Sequence, residues 1–178
     1  IDATDTTSPN VAWIGADGSA NGLIRAGHAV SMSVRVPHDA LILQTDVNDM
    51  SGYTAYGYSL ADRRRHLTNY LNYHAGLDLP VLCVFGPIRD PALNDAGTPY
   101  TQDDLIDEYK AAVDASTNAA YIDLTREWPG STTAERYAAQ TAAGLLWDQV
   151  HPNALGHGYY GGWIARALVA AAATAGTA

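Results

Sequence analysis

One cysteine, Cys83, in 178 residues leaves no internal disulfide to draw, so cysteine usage does not fix the compartment. Basic residues are scarce too: ten Lys and Arg stand against nineteen Asp and Glu, a net charge of −9. With the arginines scattered, that balance argues against a nucleic-acid partner. The one basic run, Arg63-Arg64-Arg65, falls in a helix-like segment and reads as a solvated face. Long apolar runs are missing. The nearest, Ile164 to Ala173, is Ala-rich and shorter than the roughly 18 residues of a spanning helix. No signal-peptide pattern is visible, so a soluble chain with no membrane partner is expected. Several chemical signatures are also absent. There is no G-x-S-x-G elbow, and no phosphate-binding glycine loop follows a strand. The six histidines show neither H-E-x-x-H nor paired-Cys spacing, so neither a metal nor a cofactor is expected.

What is present is a globular composition, 47% apolar and 16% charged, in a length suited to one domain. Residues 1–9, rich in Asp, Thr and Ser, read as an exposed N-terminal arm, with a single domain over 10–178. Short apolar runs at Val11–Ile14, Ala40–Thr45, Pro80–Phe85 and Ala119–Leu124 read as buried strands. Between and after them lie helical patterns. Ser59 caps one through about Ala75, with Leu60, Leu67, Tyr70, Leu71 and His74 along a stripe and Gly76 at its end. Thr101 with Asp104 opens a second, and Thr132 with Glu135 forms a capping box for a third. Asn153 is placed to cap a fourth, which starts near Ala154 and runs almost to the C-terminus. Strands alternating with helices predict an α/β domain with a parallel sheet. In such sheets chemistry gathers at the carboxyl ends of the strands.

The most informative stretch is Trp147-Asp148-Gln149-Val150-His151-Pro152-Asn153. An acid and an imidazole three residues apart can bond directly, the carboxylate holding Nδ1–H while Nε2 stays free to take a proton. Asn48, in the polar turn after Leu41–Thr45, can point its amide at a developing oxyanion, although Asn and Asp are favoured in such turns anyway. The turn Gly15–Gly18 can offer a backbone N–H to the same oxyanion or be a turn and nothing more. Trp147 can line a substrate cleft, but an aromatic of that size is more often core. His157 reads as packing within the last helix.

Together these segments resemble the SGNH (GDSL-type) esterase and acylhydrolase family. Asp148-Gln149-Val150-His151-Pro152-Asn153-Ala154-Leu155-Gly156-His157 is similar to its last block, D-G-V-H-P-N-x-x-G-H. Pro37 to Asp49 resembles the third block, P-D-x-V-x-x-x-x-G-x-N-D, and Val11 to Ser19 the second, a strand ending in N-x-G-x-x-G. The resemblance spans about residues 10 to 170. It implies a three-layer α/β/α fold with a flavodoxin-like parallel sheet, His151 as general base, Asp148 as its orienter, and Asn48 with the backbone of Gly18 as oxyanion donors. Two departures stand out. Asp46 occupies a usual Gly position, where a carboxylate would oppose negative charge, and Gln149 replaces another Gly.

A third departure is larger, because the family's first block, an apolar strand ending in G-D-S with the nucleophilic Ser, is not visible. If Val11–Ser19 is the second block, a separate upstream segment is expected to fill the strand slot and bring the Ser, since buried backbone groups must find partners. Alternatively Val11–Ile14 is itself the first strand and Ser19 the nucleophile. The 30 residues from Gly18 to Asn48 have room for one helix and one strand, as between the family's second and third blocks, which favours the first arrangement, while Ala29–Val34 can serve as the further strand the second one needs. The resemblance thus implies a serine-type ester hydrolase, an esterase or deacylase, acting on a small acyl or acetyl ester, including that of an acylated carbohydrate. The alternative is a non-catalytic module that keeps the fold for binding or assembly.

Overall fold

The computed structural model describes residues 41–46, 50, 57–94 and 96–175, with backbone only from 170 onward. The expected N-terminal arm and the strand Val11–Ile14 lie outside these residues.

Three strands form one sheet: β1 (Leu41–Thr45), β2 (Val81–Phe85) and β3 (Ala119–Asp123), in the order β1-β2-β3 and all parallel. Leu41 stands opposite Val81, and Val81 opposite Ala119. Helix α1 (Leu60–Ala75) connects the first pair and α2 (Gln102–Asp114) the second. Two more helices, α3 (Thr133–Ala142) and α4 (Ala154–Ala175), follow β3. The expected α/β class with a parallel sheet is therefore what the chain adopts.

The helices start where their side chains satisfy the first orphan N–H groups. Ser59, Thr101 and Thr132 each accept a bond from the N3 amide, while Asp62, Asp104 and Glu135 reach back to the cap. At the other end of α1, Gly76 keeps right-handed backbone (φ −65°), so it is not the left-handed cap expected from its position. The chain reverses instead with the backbone of Leu77 and Asp78 bonded into the last turn, Asp78 taking the positive φ.

Because alternate strand residues face opposite ways, β2 separates two cores. Val81, Cys83 and Phe85 pack with Leu67, Tyr70 and Leu71 of α1 and with Leu105, Ile106 and Tyr109 of α2. Leu82 and Val84 face the other layer, where Tyr160, Trp163 and Ile164 of α4 pack with Ile122 and Leu124. Helices thus cover both faces, giving three layers. Each Leu- or Phe-sized side chain so buried contributes about 1.5–3 kcal/mol. Among the described residues β1 is covered on one side: Leu41 and Leu43 join the first core, while Ile42 is 59% exposed. The Cys83 thiol is fully buried, which pushes its pKa up to about 12 and leaves it no thiolate at neutral pH.

The basic run is not wholly solvated. Arg64 and Arg65 are exposed, but Arg63 is buried, its guanidinium 5.0 Å from the centre of the Tyr58 ring. Helical spacing explains the difference, since position 63 lies on the same stripe as His66, Leu67, Tyr70 and His74.

Candidate active site

After α3 the chain turns at Gly144, whose φ of +68° suits a residue without a side chain, and buries Leu145. It then forms a small antiparallel hairpin. Leu146 bridges Pro152, the Trp147 N–H donates to the His151 carbonyl at 2.8 Å, and the Asn153 N–H donates to the Leu145 carbonyl at 2.9 Å. The loop at its tip is Asp148-Gln149-Val150.

Asn153 ties that hairpin to α4. Its Oδ1 accepts the Gly156 N–H at 2.9 Å, capping the helix as the sequence predicts, and its amide donates to the Gly144 carbonyl at 2.8 Å. Gly156 is buried here against Leu145 and Pro152.

Within the tip, one carboxylate organises everything. Asp148 Oδ1 accepts the backbone N–H groups of Val150 (2.7 Å) and His151 (2.8 Å), and Oδ2 lies 2.9 Å from His151 Nδ1. An ionised carboxylate only accepts, so the neutral imidazole carries its proton on Nδ1 and presents Nε2 as a lone pair. Nε2 makes no hydrogen bond to a described residue. The bonds from the His151 backbone and ring, with that from Val150, hold the Asp148 pKa down to about 2. Both side chains face water, His151 being 73% and Asp148 47% exposed. The two residues expected to form the acid–imidazole pair do so.

The hairpin is fixed to the carboxyl edge of the sheet. The Asp90 N–H donates to the Gln149 carbonyl at 3.0 Å, linking the tip to the loop that follows β2. Two buried glutamines hold that loop in turn. Gln102, at the first turn of α2, donates to the Pro87 carbonyl (3.0 Å) and to Asp46 Oδ2 (2.6 Å) and accepts the Arg89 N–H (3.0 Å). Gln140, from α3, takes the Ile88 N–H at 2.9 Å and returns a bond to the Ile88 carbonyl at 2.8 Å, while the Tyr160 hydroxyl donates to the same Oε1. Burial pushes up the pKa of the Tyr160 phenol. Tyr137 of α3 lies beside this corner. Burial first, then the negative charges of Asp90 and Asp148, raise its phenol above the ordinary range.

Asp46 resolves one departure noted in the sequence. It sits at φ +84°, a backbone conformation that favours glycine, so the position has the geometry for which a Gly would be chosen. Its carboxylate is fully buried and turned into the protein, where it takes the Gly86 N–H at 3.0 Å and the Gln102 amide. The expected opposition to negative charge at the strand end is thus tempered by donors that already engage it.

Of the other expected site residues, Asn48, Gly18 and Ser19 lie outside the described residues. Two flanking positions are described: Asp46, and Met50, which is fully buried in the core over α1 and α2. Two placements differ from expectation. Trp147 is not core but 83% exposed, because it stands at the hairpin tip rather than on a strand or helix face. His157 belongs to α4 as expected, yet it is exposed, one residue off the face that carries Gly156 and Tyr160 inward. Sequence reasoning missed Gln102, Gln140, Asp90 and Tyr137. Gln102 and Gln140 had a signal: each falls among the positions of its helix that face the core.

Among the described residues, no cluster of three or more His, Cys, Asp or Glu is placed to hold a metal ion, and no helix is long and apolar enough to cross a membrane. Comparison of the chain with protein-family models, curated proteins and solved structures gave no match.

Proposed function

We propose that this chain is a serine-type ester hydrolase of the SGNH kind, acting on a small acyl or acetyl ester. The observation that carries the reading is the ready-made pair: Asp148 Oδ2 at 2.9 Å from Nδ1 of an exposed imidazole whose Nε2 is left open. A structural turn needs the carboxylate for its two backbone bonds, but nothing in the turn requires the ring to be held edge-on to it as well. That extra bond fixes tautomer and orientation, which is what a general base requires.

In this reading a serine hydroxyl attacks the ester carbonyl as Nε2 takes its proton, forming the tetrahedral intermediate. The Asn48 side chain and the Gly18 backbone are assigned to its oxyanion. The protonated ring then gives its proton to the leaving alcohol as the acyl C–O bond breaks. Water, activated by the same nitrogen, releases the acid and restores the serine. The nucleophile is supplied either by a segment upstream of Ile1 or by Ser19.

The test is hydrolysis of p-nitrophenyl acetate by the chain, alone and with any upstream segment restored, together with labelling by a fluorophosphonate. Activity that His151→Ala abolishes and labelling at one serine support the reading. Activity indifferent to His151, or a chain and precursor both inert to substrate and label, leaves the alternative of a binding or assembly module.

A further inference from the structure

The hairpin that carries the pair also sets a large aromatic beside it. Leu146 and Pro152 are directly paired, so the next pair outward is Trp147 and His151, joined by the Trp147 N–H to His151 carbonyl bond. Residues directly opposite in an antiparallel pair project on the same side, with Cβ atoms roughly 4.5–5.5 Å apart. The indole and the imidazole are therefore carried on the same side of the hairpin, one 83% exposed and the other 73%. An isolated apolar residue at a surface needs no explanation. This one lies on a short hairpin pinned by cross-strand bonds and by the Asp148 carboxylate, and its backbone is bonded to that of the residue whose Nε2 is left open.

Which part of a substrate lies there follows from the chemistry. The imidazolium hands its proton to the alcohol oxygen as the acyl C–O bond breaks. The alcohol portion, not the acyl portion, must therefore pass next to His151 and so next to the indole. A flat indole face left in water stacks best on another flat ring, through π or C–H contacts. The geometry points to Trp147 as a platform for the alcohol portion of the substrate, so that the preferred esters are acyl esters of a ring-bearing alcohol, a pyranose or a phenol. This rests on the ester-hydrolase reading above.

The experiment compares kcat/KM for the full chain, with any upstream segment restored, and for its Trp147→Leu and Trp147→Phe variants. Four esters serve: phenyl acetate, a peracetylated methyl pyranoside, ethyl acetate without a ring, and ethyl benzoate with its ring on the acyl side. Taking each variant against the parent on the same ester removes differences in leaving-group reactivity. Trp147→Leu is expected to lose about tenfold on phenyl acetate, on the pyranoside, or on both, and which one falls identifies the ring. On ethyl acetate and ethyl benzoate it should stay within about twofold, and Trp147→Phe should recover most of the loss. Equal change on all four esters, or a loss confined to ethyl benzoate, overturns the assignment. Should the parent protein hydrolyse none of them, the ester-hydrolase reading fails, and the platform is judged by calorimetric titration with methyl pyranoside and with phenol. Binding that Trp147→Leu abolishes upholds it, and no binding of either overturns it.

Discussion

Gly156, in the first turn of α4, packs so tightly on Leu145 that a Cβ at this position would overlap the Leu145 carbonyl oxygen, with Pro152 close on the other side. That oxygen is the one that accepts the Asn153 N–H and closes the hairpin behind His151. Gly156→Ala must therefore push either the helix or the hairpin away. Overpacking of this kind costs about 1–3 kcal/mol, read as a lower urea midpoint. If the hairpin yields, the proposed esterase activity falls further than stability alone explains, since an error of 1 Å in a catalytic group costs about a hundredfold.

Gln102 joins the end of β1 to the loop after β2 by donating to both Asp46 and Pro87. Gln102→Leu removes one donor to the buried Asp46 carboxylate and one acceptor of the Arg89 N–H. Losing a hydrogen bond to a charged group costs about 1.5–3 kcal/mol, and the Gly86 N–H remains on Asp46. Gln102→Glu is the sharper variant. It sets a second carboxylate against Asp46, so its stability deficit against the parent protein should shrink as pH falls and one of the two is protonated. Urea midpoints of variant and parent at pH 7 and pH 5 check this, and a difference between them that does not narrow over this interval speaks against it.

The sequence was most legible where one residue type has one local task. Ser59, Thr101, Thr132 and Asn153 cap helices because a short side-chain oxygen at that backbone geometry has few other uses. The Asp148–His151 pair was legible for the same reason, being three residues apart within one tip. Gln102 and Gln140 were not: each bonds to residues 87–89, partners fixed by how the helices lie across the sheet. Arg63 and Trp147 failed in opposite directions. A charged residue was drawn inward by the stripe it sits on, and an aromatic was held outward by a hairpin that short-range patterning does not reveal.

His74 gives the fold a dependence on acid. It is fully buried at the end of α1, its Nδ1–H donating to the Tyr70 carbonyl at 2.9 Å while Nε2 has no partner among the described residues. Burial is the larger influence and lowers its pKa, with the Tyr70 bond opposing. The unfolded chain therefore binds a proton here before the folded one does. Stability from this residue is present above the unfolded value of about 6.5 and is lost as pH drops below it. Urea midpoints between pH 8 and pH 5 should fall for the parent protein and fall less for His74→Leu.

Asp148→Asn separates the structural work of this residue from its chemical work. The amide oxygen can still accept the Val150 and His151 backbone bonds, so circular dichroism should hardly change, while the urea midpoint at neutral pH falls modestly with loss of the ionised acceptor. Its NH2 group now faces Nδ1 as a donor, which favours the tautomer with the proton on Nε2, and a ring in that state cannot accept one from a nucleophile. On the proposed esterase reading the expected loss in kcat is about a thousandfold to ten-thousandfold, with KM far less affected, as for triads that lose their carboxylate. Acid denaturation supplies the control. With Asp148 at about 2 in the folded state against an ordinary 3.8, its contribution to stability is complete above about pH 4 and disappears as pH falls toward 2. The parent and Asp148→Asn acid-unfolding curves should converge over that interval. A kcat for Asp148→Asn within tenfold of the parent protein would remove the carboxylate, and with it the pair, from the reaction.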